Sequence, residues 1–188
     1  MKRLIAFPLC SLCLALVVEA QPLPQAQKIL RERSAIRFVT RQMNVPVEGQ
    51  FRSFDGAVFF DPVKPGATKA DFTVELASID LGNEEGETEA KRRLWLDTSA
   101  FPTAKFSATS VKSFGNNRFE AAGRLTIKGT THDVTAPFTV TDANMLRTVE
   151  GQFALKRLQY RIGEGQWSDT DTVADEVTVR FRFTVPIR

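Results

Sequence analysis

The chain has 188 residues with 25 basic and 22 acidic side chains, a net charge of +3. That length suits one domain with a core of its own, and the near balance of charge excludes the basic stripe of a nucleic-acid binder. Two cysteines and a single histidine leave little material for a thiolate nucleophile or a cysteine–histidine metal site.

Residues 1–20 read as a secretory signal peptide. Lys2 and Arg3 precede an apolar run over residues 4–18, and Val18-Glu19-Ala20 forms a small-residue cleavage site ahead of Gln21-Pro22. Both cysteines, Cys10 and Cys13, fall inside this segment, so residues 21–188 contain none. Losing Lys2, Arg3 and Glu19 leaves 23 basic and 21 acidic side chains, a charge of +2. An exported, disulfide-free domain fits a bacterial periplasm.

Strand patterns fill most of the remaining chain. Ile36 and Phe38 alternate with Ala35 and Arg37. Residues 42–62 combine aromatics and glycines at strand spacing, apolar on both faces at Ala57–Phe60, and close on Asp61-Pro62. Phe72, Val74 and Leu76 alternate with Thr73 and Glu75. One segment departs from this pattern. Residues 84–96 hold helix formers, with acids early and Lys91, Arg92 and Arg93 late, which predicts a short helix over one end of the fold. Strand signals then resume. Phe119, Ala121, Gly123, Leu125 and Ile127 share a face, Lys128-Gly129 turns the chain, and Val134, Ala136 and Phe138 return. Phe153 and Leu155 come next, and Val177, Val179, Phe181, Phe183 and Val185 make the clearest alternation of all. A long antiparallel meander must close to bury its edges, so the expected fold is all-β: a single antiparallel barrel.

Six groups of residues, taken in order, resemble the YceI-like family of polyisoprenoid-binding, lipocalin-like exported proteins. They are SAIRF (34–38), VEGQFRSFDGAVFFDP (47–62), ASIDLGN (77–83), FPTAKFSATSV (101–111), FEAAGRLTIKGTTHDV (119–134), and LKRLQYRIGEGQW with VADEVTVRF (155–167 and 173–181). The resemblance spans residues 27–187 and is nearest the subgroup associated with b561-type cytochromes. It implies an extended eight-stranded barrel whose apolar tunnel holds an isoprenoid chain, as a quinone tail or a polyprenyl phosphate. It also implies two roles: a carrier with no catalytic group, or an accessory presenting a quinone to a membrane b561-type cytochrome. A homodimer is left open.

Fourteen phenylalanines remain beyond Phe7, a large dry surface without polar handles. Strand parity gives the candidate ligand-binding residues Phe38, Phe51, Val58, Phe60, Val74, Leu76, Phe106, Leu125, Phe138, Phe153, Phe181 and Phe183. Leu94, Trp95 and Phe101 are candidates to guard one mouth, and Trp167 to guard a mouth or plug the floor. Lys91, Arg92 and Arg93 read first as a solvated helix end and second as a headgroup contact. His132 is placed in the turn after Gly129, and the acidic stretch at Asp169, Asp171 and Asp175 lacks the spacing of a calcium loop.

Overall fold

Alternating apolar and polar side chains account for nearly every element of the computed structural model, which describes residues 25–187. The expected signal segment lies outside the described residues. Among those described, no helix is long and apolar enough to cross a membrane.

Eleven strand segments form one antiparallel sheet: β1 (Gln27–Lys28), β2 (Ala35–Gln42), β3 (Val45–Phe51), β4 (Phe54–Phe59), β5 (Lys69–Glu75), β6 (Ile79–Asp80), β7 (Thr103–Ser113), β8 (Arg118–Ile127), β9 (Thr130–Ala143), β10 (Leu146–Lys156) and β11 (Glu176–Pro186). Their order is β1-β4-β5-β7-β8-β9-β10-β11-β2-β3-β6. The family resemblance implies eight strands, and the difference has a simple origin. β3 and β4 are one run interrupted only at Arg52-Ser53, and it changes neighbour there. Phe51 is paired with Ile36 of β2, whereas Phe54 is paired with Val74 of β5. The two ends of the strongly curled sheet are therefore two halves of one strand, and the curl closes through the chain. The two-residue segments fill the gaps: β6 pairs with β3 at Gln50 and Phe51, and β1 pairs with β4 at Ala57 and Val58.

Asp80 fixes this switch. Its carboxylate accepts from Gln50 Nε2 at 2.8 Å, Arg52 Nε at 2.9 Å and the Gly82 amide at 3.1 Å. The Gln50 and Arg52 donors hold the Asp80 carboxyl down at about 2. A depressed carboxylate stabilises above its ordinary value near 4 and loses that contribution as the pH falls towards 2. Asp80→Asn is thus expected to lower the melting temperature at neutral pH. The gap from the parent should narrow as the pH falls below about 4. A gap that stays constant across a melting series would refute this.

The helix α1 (Glu84–Lys91) is shorter than its sequence signal. Asn83 caps it by accepting from the Gly86 amide, and Arg92 leaves helical geometry at φ −70°, ψ 166°. The cause is tertiary. The Leu94 carbonyl is taken by the amides of Gly163 and Glu164, which draws residues 92–97 into turns over the loop after β10. Leu94, Trp95 and Leu96 are therefore not helical. His132 also differs from expectation: it lies on β9, its Nε2 is 3.1 Å from the Gln159 carbonyl, and its ring meets Tyr160 edge-on.

Candidate functional site

Four inward phenylalanines explain why the barrel is hollow. Phe38, Phe72 and Phe181 stand directly opposite Gly49, Gly56 and Gly151 on neighbouring strands, and Phe106 lies diagonal to Gly123. A Cβ on any of these glycines would fall 2.3–2.6 Å from the facing ring. Each ring is thus laid along the wall, where only glycine leaves space, instead of projecting into the lumen. Other rings stack with one another: Phe72 on Phe183 at 4.0 Å, and Phe119 on Phe138 at 5.5 Å.

The lumen consists of two chambers that share Ile36, Val74, Ala104, Leu125, Phe153 and Val179. The narrow one, about 150 Å³, is bounded by Val58, Phe60, Phe106, Phe138, Phe181 and Phe183. An apolar cavity of that size stays dry and accepts small apolar guests. The wide one, about 590 Å³, lies at the α1 end and reaches the surface beside the exposed Asn83 and Glu85. That volume is in the range of small-molecule sites.

Phe38, Phe51, Leu76, Trp95 and Trp167 line the wide chamber, while Val74, Leu125 and Phe153 line both. Two candidates fall elsewhere. Phe101 packs over Gly129, and Leu94 is turned towards Gly165 by the hydrogen bonds to its carbonyl. Several lining residues escaped the sequence reading. Ile36, Phe72 and Val179 have the right parity and were findable by it. Val111 was not, because a bulge between Ala108 and Ser110 of β7 reverses the parity beyond it.

The least expected residue is Arg157. It is 2% exposed and lines the wide chamber. All five of its N–H groups reach backbone carbonyls: Nε to Ala174 (3.1 Å), Nη1 to Ile162 and Gly163 (both 2.9 Å), and Nη2 to Trp167 and Val173 (both 2.7 Å). Burial pulls its guanidinium below the ordinary value, and Asp175 opposes that shift. Its Cζ also lies 5.8 Å from the Trp95 ring. Gly163 permits this packing: its φ is +75°, and a Cβ there would stand 2.3 Å from Nη1.

Hydrogen-bonding capacity at the wide chamber is therefore unbalanced. Arg157 has no donor left. Arg92 is engaged with Glu89 at 2.9 Å, and none of Lys91, Arg92 and Arg93 lines the cavity. Glu85, Glu89, Asn83, Gln42 and Thr40 do line it. Trp95 and Trp167 stand 5.5 Å apart, and the indole N–H of each is buried without an acceptor.

The profile of the YceI-like domain matches residues 28–185. A UPF0312 protein of Azotobacter vinelandii is 37% identical over 86 residues, which is 46% of this chain and 45% of that protein. Protein YceI of Escherichia coli O157:H7 is 36% identical over 87 residues, with the same shares of the two chains. This chain spans about half the length of the curated relatives it matches. Among solved structures, BcnA of Burkholderia cenocepacia superimposes with a TM-score of 0.82 at 36% identity, covering 84% of this chain and 99% of that one. A polyisoprenoid binding domain from Saccharophagus degradans gives a TM-score of 0.70 at 13% identity, covering 87% and 99%, which shows a shared fold.

Proposed function

The chain belongs to the YceI-like domain family, and from that membership we propose that it is an exported, non-enzymatic carrier that holds a polyisoprenoid lipid in its barrel. The lipid's tail runs from the wide chamber into the narrow one. Its head, uncharged and rich in hydrogen-bond acceptors as a quinone is, lies in the wide chamber. One observation carries this reading: an apolar lumen widens into a chamber lined by Trp95 and Trp167, and among the described residues the only guanidinium lining that chamber, Arg157, is fully engaged. Burial of apolar tail surface drives binding at about 25 cal/mol per Å², and it needs no directional contact. A diphosphate fits less well, because Glu85 and Glu89 border the chamber and no free cation lines it among the described residues. The polyisoprenoid binding domain of Saccharophagus degradans, which shares this fold, supports the ligand class.

Protein recovered from the periplasm of its native host is expected to yield an isoprenoid quinone on organic extraction and mass spectrometry. Trp95 and Trp167 are the only tryptophans in the chain and both line the wide chamber, so added quinone should quench their fluorescence and a prenyl diphosphate should not. Recovery of a prenyl phosphate would overturn the head assignment, and indifference to every isoprenoid would overturn the carrier reading.

The opening of the wide chamber beside Asn83 and Glu85 also supports a second role, in which the α1 end instead faces a membrane b561-type cytochrome that oxidises or reduces the bound quinone. The protein would then only position the head, since the quinone carries the electrons. A quinone absorbance change that requires the cytochrome distinguishes this role from simple carriage.

A further inference from the structure

Three turn tips at the end opposite α1 carry large apolar side chains in water. Val63 is 85% exposed, Met145 71% and Phe114 59%. Strand register places them at the same end of the barrel. Ser113 of β7 faces Phe119 of β8, Leu146 of β10 faces Pro186 at the end of β11, and Phe59 of β4 faces Lys69 at the start of β5. The Phe60 carbonyl accepts from Arg147 Nη1 at 2.9 Å, which ties the Val63 loop to the Met145 turn. Met145 is displayed with φ +59°, a conformation better suited to glycine or asparagine, so local turn chemistry does not explain a methionine there.

Cations outnumber acids at this end. Lys64, Lys69 and Arg118 are exposed and form no ion pair among the described residues. Of the nearby acids, Asp142 is held by Arg147 at 2.7 Å, Asp61 accepts the amides of Val63 and Lys64, and Glu120 faces Lys112 across the strands. The α1 end also exposes apolar side chains, at Met43 and Val45. There, however, they share the surface with Glu84, Glu85, Asp169 and Asp171, and the Met43 amide donates to Thr172 of that acidic loop.

We propose that the end bearing Val63, Phe114 and Met145 docks on an anionic lipid bilayer, the three side chains entering the interface and the surrounding cations facing the headgroups. The narrow chamber lies just inside this end, bounded by Phe60 and Phe138, so docking brings the lumen's apolar floor to the membrane. Each lysine or arginine near such a surface strengthens binding roughly fivefold.

The test is co-sedimentation of the chain beginning at Gln21, which lacks the apolar run of residues 4–18 and keeps every described core cluster. The vesicles are phosphatidylcholine alone, or phosphatidylcholine with roughly a quarter phosphatidylglycerol. Binding is expected only to the mixed vesicles, weakening at roughly 0.5 M salt. The triple variant V63D/F114D/M145D should lose about tenfold or more in partitioning, and M43D/V45D should bind as the parent does. All five substituted positions are exposed, so circular dichroism should show every variant folded. The proposal is overturned if the parent stays in solution, if the triple variant sediments like the parent, or if M43D/V45D is the variant that loses binding.

Discussion

Arg157→Leu is expected to cost about 3–5 kcal/mol of stability, the loss typical of removing one member of a buried charged network. Leucine removes a buried charge, which by itself is favourable or neutral. It also strands five carbonyls on a single loop, those of Ile162, Gly163, Trp167, Val173 and Ala174. Each stranded acceptor costs about 1 kcal/mol or more unless water reaches it. The adjoining chamber admits water to some of them, which keeps the total below five full penalties. Arg157→Lys supplies three donors from a point charge in place of five in a rigid fork, so it should fall between parent and Leu. The loop over residues 157–175 should also open to protease before the barrel unfolds, because its carbonyls converge on this one side chain. Urea melts of the three proteins decide the matter. A loss below about 1 kcal/mol for the Leu variant would show that the network is dispensable.

The same residue marks how far the sequence could be read. Inward parity is a backbone property, and wherever the ladder is regular it was legible: Phe38, Phe106, Leu125, Phe153, Phe181 and Phe183 all face the lumen. It failed where the ladder does. The β7 bulge hid Val111, and the switch at Arg52-Ser53 made one strand count as two. The glycines were visible as letters, but their use as beds for aromatic rings depends on cross-strand register, which local patterning does not encode. Arg157 was missed for another reason. A lone arginine between Lys156 and Leu158 reads as a surface charge, and only the carbonyls of a loop up to 17 residues away make it a core residue. The segment LKRLQYRIGEGQW contained the signal, since Arg157, Gly163 and Trp167 there form one packed unit. Leu94 and Phe101, candidates to guard a mouth, line neither chamber: Leu94 lies beside Gly165, its carbonyl held by the loop after β10, and Phe101 packs over Gly129.

Phe181→Arg is expected to abolish lipid binding while leaving the barrel folded. Phe181 lines the narrow chamber, stacks on Phe183 at 5.5 Å and lies over Gly151. Arginine fits the volume because the lumen is already hollow, so overpacking is not the main consequence. Its charge is. The chamber wall is apolar almost throughout, and no carboxylate lines it to pair with a guanidinium. Placing that charge against a hydrocarbon tail costs several kcal/mol, enough to weaken binding by a hundredfold or more. The empty protein escapes most of this cost, because a long side chain can extend its head through the hollow lumen towards water. The penalty therefore falls on the bound state. Phe181→Leu separates the charge from the lost ring: it should bind the same quinone with only a modest loss, since it keeps the wall dry and merely shortens it. Quenching of Trp95 and Trp167 by added quinone reads the affinity of all three proteins, and thermal melts establish that each is folded. An Arg variant that melts like the parent and is quenched like the parent would show that the tail does not enter the narrow chamber.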